Sequence, residues 1–585
     1  MEQVDLIIRN GTIVDGTGAE PFRADIAIRD DRIAAIEPVD HRAGHAPVGD
    51  HSSTRDIDAS GRLVTPGFID PHSHLDGHAS WEHRLKPDSG HGITTTVFGN
   101  CGVGFAPCAP EHRRFTVALM EGVEDIPAEV LDEGLPWAWE TYPEYLSFLA
   151  ERTFDMNVAG LLPHSLVRVH VMGKRAIEGE PATAADIKAI ARLTEEALAA
   201  GAVGVGSTRV VAQRTLSGIP SPSQHAEEGE YLAIAQAIAA VGHGVLQIAP
   251  EFKQFPRAEH ELAMIIRVCA ETGVPVVYSL KQANADPDGW RRLLDMTAAA
   301  NAEGLPIHPM VLGRPTGAIA GWETSSHRFS RCPSYRQIAH LPLQARVEFL
   351  ARPEVRAAIL SEEAAGETDR FATMDHLTFP MGAVPDYEPG PESSIASVAE
   401  RTGGAAAALT YDTFMARDGR GMLFVASGNY SDGSLEPARE MMQFEGSVLG
   451  LGDGGAHSTL ICDASATTST LSFWTRDRTR GERLTVPEVV HKLTAEPARL
   501  FGFADRGELA PGRKADLNIV DYERLGLSAP RMDYDLPGGG RRLVQDATGY
   551  DAIVVNGSLV GRHDQPTASL PGRLVTPAVA GLSNG

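Results

Sequence analysis

Little in this chain of 585 residues suits an extracellular or membrane setting. Its 5 cysteines are odd in number and scattered, which excludes a disulfide scaffold and suits a reducing cytoplasm. No run of about 20 apolar residues exists, so no segment reads as a membrane-spanning helix. The start, MEQVDLIIRNG, carries Glu2 and Asp5 where a signal peptide needs Lys or Arg. Positive charge is also short: 52 Lys and Arg face 77 Asp and Glu, a net charge of −25. Such a field repels phosphate backbones and anionic lipid, so neither nucleic acid nor a membrane surface is expected as a partner. A small molecule remains.

What is present is enough apolar sequence, 43%, for a large core. Dividing the length by about 150 residues suggests roughly four domains. The pattern argues for fewer. VDLIIRNGTIVDG and DIAIRDDRIAAIEP near the start are short strands with turn residues between them, and KADLNIVDYE and YDAIVVNGSLVG repeat the style near the end. Each half is too small to bury a core alone, so residues 1–62 and 505–565 are expected to pair as one small β-sandwich. Two unrelated β appendages remain the alternative. Residues 566–585 read as an extended arm or disordered tail.

Between these ends apolar strands alternate with helices. Strands are expected at 64–70, 92–99, 157–163, 202–207, 244–249, 275–280, 305–310 and 447–452. Thr183 and Asp186 cap a helix that begins at Ala184. Eight β-then-α units predict an α/β fold, a (β/α)8 TIM-like barrel over 63–504, with its chemistry on the loops after each strand. Segments 109–155 and 325–410 are too long for plain loops and read as insertions: lids, specificity walls, or contacts of a homodimer or higher homo-oligomer.

The sharpest local feature is Asp70-Pro71-His72-Ser73-His74-Leu75-Asp76 at the end of the first such strand. Side chains alternate on a strand, so His72 and His74 share a face, as a divalent metal requires. Two structural histidines would look the same. Cys101, between glycines at the mouth of the second strand, is either a soft metal ligand or a small buried hydrophobe. Asp453, in LGDGGAH after the eighth strand, is placed to bind a metal and move a proton, or simply to make a turn.

Together these motifs resemble the amidohydrolase superfamily, and within it the N-acyl-D-amino-acid deacylases (D-aminoacylases). The resemblance runs in order through NGTIVDGTG, VTPGFIDPHSHLD, GITTTVFGNCGVGFAPC, PHSLVRVHVMG, LGDGGAH and LTAEPARLFGFADRGELAPGRKADLNIVD. It implies a metal-bearing barrel beside a β-sandwich, hydrolysing a linear amide with metal-activated water. It also implies that His72, His74 and Cys101 are ligands and that Asp453 is both ligand and general acid/base. His164 and Arg168 match a third-strand motif near the site. Lys281 matches a lysine that meets the substrate carboxylate.

The sequence departs from this family where the fifth and sixth strands should each bring a histidine. Here they read GVLQIAPE and VVYSLKQ, with Ser279 in the second histidine's place. Three arrangements are open. One zinc ion sits on His72, His74 and Asp453, with Cys101 or water completing it, and this is the expected case. Alternatively, Glu251, Gln247, His308 or His457 substitutes as a ligand, a carboxylate also suiting Mn2+. In the third, the metal is lost. Arg209, Arg314 and Lys281 stand near predicted strand ends and would read a carboxylate on the substrate. The expected activity is therefore deacylation of an N-acyl-D-amino acid or related N-acyl acid. The rivals are an enzyme acting on another or a cyclic amide, an acyl-transferring or amide-forming enzyme, and a metal-free binding protein.

Overall fold

The computed structural model describes residues 2–39, 51–53, 55–251, 257–366 and 370–577. The two chain ends fold together. Leu6–Ile13, Phe22–Arg29, Arg32–Pro38, Asp56–Asp58 and Leu63–Pro66 join Leu517–Val520, Tyr550–Val555, Ser558–Arg562 and Gln565–Pro566 in one nine-stranded sheet. The seam is antiparallel, with Val64 opposite Ile519. Ile8, Ile13, Ile26 and Val64 from one end share a single buried cluster with Leu517, Ile519 and Val554 from the other. Neither end supplies enough apolar surface to do this alone.

Local turn chemistry is met in part. Asn556-Gly557, both at positive φ, turns one hairpin. Asn10-Gly11 does not: Leu6–Ile13 runs through it as one strand with a bulge between Ile8 and Gly11, and Asn10 takes φ 61°.

The intervening chain is α/β. Its parallel strands are β1 (Phe68–Asp70), β2 (Ile93–Phe98), β3 (Asn157–Gly160, resumed at Leu162–Pro163), β4 (Gly204–Thr208), β5 (Val245–Ala249), β6 (Val276–Ser279), β7 (Ile307–Val311) and β8 (Val448–Leu449). Each pairs with the next in chain order, and Ser73 after β1 bridges in parallel to Gly454 after β8. Ile69, Val97, Ala159, Val245, Val277 and Met310, from six of these strands, meet in one buried cluster closed by Phe501 and Phe503. Helix Ala184–Ala199 carries the expected capping box of Thr183 and Asp186.

Three expectations need correction. The strand foreseen at 64–70 breaks at Gly67: Leu63–Pro66 pairs into the nine-stranded sheet, and Phe68–Asp70 alone joins β2. The second insertion is larger than 325–410, beginning with strand Thr316–Ala320, which pairs with Leu423–Gly428. It has its own core, with Trp322 packed against Tyr335, Tyr411 and Phe414. The tail is no free arm up to residue 577, since Gly572 and Leu574 bridge to Phe154 and Val158 beside β3. Residues 578–585 lie outside the described residues. All five cysteines are free, and no described helix is long and apolar enough to cross a membrane.

Candidate metal centre

The backbone beyond β1 is held extended by its neighbours. His72 N–H is accepted by Asp70 Oδ1 (3.0 Å), Ser73 N–H by Val97 O (3.0 Å) and His74 N–H by Gly454 O (2.7 Å). The two imidazoles therefore face the loop that follows β8. That loop approaches closely: a Cβ on Gly455, which has φ +88°, would lie 2.7 Å from His74 O, so only glycine fits. Cys101 sits in a tight turn after β2, where a Cβ on Gly99 (φ +82°) would lie 2.1 Å from Leu161 O. Asn100 Nδ2 donates to Val97 O (3.0 Å), and Cys101 N–H donates to Gln247 Oε1 on β5 (3.2 Å).

These turns bring four donors together. His72 Nε2 lies 3.1 Å and His74 Nε2 3.8 Å from Asp453 Oδ1, and Cys101 Sγ lies 3.5 Å from His72 Nε2. The ligand atoms of His72, His74 and Cys101 lie within 4.8 Å of one another. Cys101 (φ 54°), Asp453 (φ 46°) and His457 (φ 46°) all adopt the left-handed conformation that side chains avoid. Such conformations persist where surrounding structure imposes them, commonly at functional sites. The histidines are almost fully buried, while the Asp453 side chain keeps 29% exposure.

The electrostatics fit a divalent cation. Burial pushes His74 down to about 3, leaving a neutral imidazole. Burial works to raise the Asp453 carboxyl, but the His72 hydrogen bond and the fields of His72, His74 and His457 outweigh it and hold the group well below the usual carboxylate range. A neutral imidazole and an ionised carboxylate are the protonation states that metal binding requires. Burial, then the charges of Glu124 and Asp453, raises the Cys101 thiol, a cost that a bound cation would reverse. Burial also pushes nearby Asp76 and Asp88 up to about 7 and Glu124 well above its ordinary value. His72, His74, Cys101 and Asp453 therefore fit zinc in donor type and spacing.

A family model for the amidohydrolase family matches residues 55–560. The chain belongs to the amidohydrolase family. N-acyl-D-glutamate deacylase of Alcaligenes xylosoxydans xylosoxydans is 27% identical over 585 residues, covering 98% of this chain and 97% of that protein. D-aminoacylase of the same organism is 30% identical over 316 residues, or 53% of this chain and 58% of that relative. The crystal structure of N-acyl-D-glutamate deacylase from Bordetella bronchiseptica, complexed with zinc and a phosphonate inhibitor, superposes over 98% of this chain and 100% of its own. It does so at 24% identity and a TM-score of 0.64, which establishes a shared fold.

The structure scatters the other expected site residues of this amidohydrolase. His457 reaches the centre, with Nε2 3.8 Å from Glu124 Oε2. The charge of Lys281 is felt at the Cys101 thiol. Glu251 stands behind a loop, accepting Val211 N–H (2.9 Å). His308 is the second residue of β7, at the strand's far end, with Nδ1 3.0 Å from Gly446 O. Arg209 pairs with Glu261 (3.3 Å) and donates to Ala226 O (2.8 Å). Arg314 is buried, paired with Asp463 and stacked 4.3 Å over Tyr387. Neither arginine is left to read a substrate carboxylate. His164 and Arg168 both bind Glu230 in the interior.

Sequence reasoning missed Glu124. It ends helix α1 (Arg113–Glu124) of the first insertion and enters the centre beside His74. A signal was available. Gly122-Val123-Glu124-Asp125 puts two acids at a helix C-terminus, where the dipole disfavours them. In segment 109–155, read above as a lid, specificity wall or dimer contact, Trp139 is buried and packs 4.8 Å from Tyr145 and 5.0 Å from Phe148.

Proposed function

We propose that this amidohydrolase hydrolyses the linear amide of an N-acyl-D-amino acid, or a related N-acyl acid, using one divalent metal ion. The observation that carries the reading is the convergence of the ligand atoms of His72, His74 and Cys101 within 4.8 Å of one another, with Asp453 Oδ1 3.1 Å from His72 Nε2 and 3.8 Å from His74 Nε2. Zinc held there would polarise the amide carbonyl and favour deprotonation of water. Asp453, ionised and partly exposed, accepts the proton of the attacking water and returns it to the leaving nitrogen. Lys281, whose charge is felt at the Cys101 thiol, is read as the cation that meets a substrate carboxylate. A single ion is favoured because the sides facing β5 and β6 offer Gln247 and Ser279 where a second ion would need imidazole.

The parallel strands are read as a (β/α)8 barrel over 63–504. The nine-stranded sheet is read as a small curled β-sandwich of residues 1–62 and 505–565, with strand 63–66, paired between Leu6–Ile13 and Leu517–Val520, leading into the barrel. The acidic, cysteine-poor chain suits the cytoplasm. The test is to strip the protein with a chelator, assay N-acyl-D- and N-acyl-L-amino acids, and then restore one equivalent of zinc. Activity on D substrates should disappear and return. Undiminished turnover without metal would overturn the mechanism. Inactivity on the whole panel, with zinc-dependent opening of a cyclic amide, would overturn the substrate.

A further inference from the structure

We propose that Glu124 is a positioning residue, one that fixes the His74 ring for the metal by accepting its Nδ1 proton and couples that ring to His457. The inference rests on the metal-centre reading above. A neutral imidazole carries one N–H, so a ring that presents the Nε2 lone pair to a metal must hold its proton on Nδ1. In this chain His74 Nε2 faces Asp453, and Nδ1 therefore needs an acceptor. The atom that faces it is Glu124 Oε1, at 3.5 Å. Both residues are 2% exposed, and neither His74 Nδ1 nor Glu124 Oε1 has a hydrogen-bond partner. Two orphaned, complementary atoms pointing at each other are rare in a protein interior unless they serve each other.

The same carboxylate looks outward as well. Glu124 Oε2 is 3.8 Å from His457 Nε2, and the Glu124 carbonyl accepts the His457 N–H. Its neighbour Asp125 accepts from Ser325 Oγ (2.9 Å) and Thr459 Oγ1 (3.3 Å). One dipeptide thus ties α1 to the second insertion and to the turn that carries Asp453. Stability does not explain its presence. Among the described residues Glu124 pairs with two histidines and with no Lys or Arg, at the helix end where an acid is unfavourable. Carboxylates behind metal-bound histidines typically change metal affinity about 10- to 100-fold.

The test measures zinc affinity by competition with a chromophoric chelator for wild type, Glu124→Gln and Glu124→Ala, alongside melting of each metal-free protein. Glu124→Ala should bind zinc about 10- to 100-fold more weakly. Glu124→Gln, which keeps an acceptor oxygen, should fall between it and wild type. Metal-free melting temperatures should be unchanged or higher, because a buried acid with no Lys or Arg partner among the described residues has been removed. If Glu124→Ala fails to fold, the near-isosteric Gln variant carries the test, and wild-type affinity in it would overturn the proposal. Wild-type affinity in Glu124→Ala would overturn it too. A wild-type chain that takes up no zinc would remove the metal-centre reading and this inference with it.

Discussion

The two sides of the candidate centre use the same residue types for opposite ends. Toward β1, β2 and β8, His72 and His74 turn their Nε2 atoms on one carboxylate and leave both Nδ1 atoms without hydrogen bonds. Toward β3 and β4, His164 spends Nδ1 on Ser207 Oγ (2.9 Å) and Nε2 on Glu230 Oε1 (2.7 Å). Glu230 also takes Arg168, and Ser207 lies 3.0 Å from Tyr231 Oη. All of these groups are buried. A polar network whose members serve one another rigidifies the fold, whereas two Nε2 atoms converging on one carboxylate suit a shared cation. Which side a histidine serves is decided by what its second nitrogen touches.

The largest expected effect lies on the open side. Asp453→Asn keeps the shape but removes the proton acceptor, so kcat should fall about 10²- to 10⁴-fold while metal-free melting stays put. Steady-state kinetics beside a thermal melt check this, and near-normal turnover would remove Asp453 from the chemistry. The closed side should respond in the reverse sense. Glu230→Ala leaves Arg168 buried without its partner, which costs about 3–5 kcal/mol of stability. Zinc stoichiometry should not change. Urea unfolding and elemental analysis separate the two. Lost zinc with intact stability would mean that the sides have been assigned the wrong way round.

Period and spacing made the ends of the molecule and its strand order readable. Eight apolar runs became eight parallel strands, and the Asn-Gly near residue 556 turned a hairpin as expected. The Asn-Gly at residue 10 became a bulge because a long strand paired on both sides overrides local turn preference. His72, His74, Cys101 and Asp453 were legible because each follows a strand end that the fold aims at one point. Arg209, Arg314 and His308 were not. Their charge or ring says nothing about whether a buried Glu, an Asp or a carbonyl has already claimed it. Glu124 stayed hidden because its position depends on how an insertion packs over the loop after β8.

Acid extends the comparison to a histidine remote from the centre. Burial pushes His327, in the core of the second insertion, down to about 3 from 6.5. Its Nδ1 accepts the Phe329 N–H at 3.2 Å and its ring packs 4.6 Å from Tyr335. The unfolded chain therefore binds this proton first. Its contribution to stability is complete above about pH 6.5 and is lost as pH falls toward about 3. His327→Gln keeps an acceptor but removes the titration. It should flatten the acid limb of unfolding free energy by about 1.4 kcal/mol per pH unit within that window. An unaltered slope in urea titrations between pH 4 and 6, values roughly spanning that window, would show that this ring is charged in the fold.

The smallest expected effect falls on the boundary between the two sides, at Gln247. Its Oε1 accepts the Cys101 N–H at 3.2 Å, but its Nε2 is buried with no partner. Gln247→Met preserves length and volume while deleting both the satisfied acceptor and the orphaned donor. Losing the first costs about 1–3 kcal/mol and removing the second returns a similar amount, so the net change should stay within about 1 kcal/mol. Zinc affinity should hold, because in this reading β5 supports the Cys101 turn and gives the metal nothing. A tenfold or greater loss of zinc affinity in Gln247→Met would instead make the amide oxygen a ligand. The open side of the centre would then reach round to β5, into the place where the family's histidine is missing.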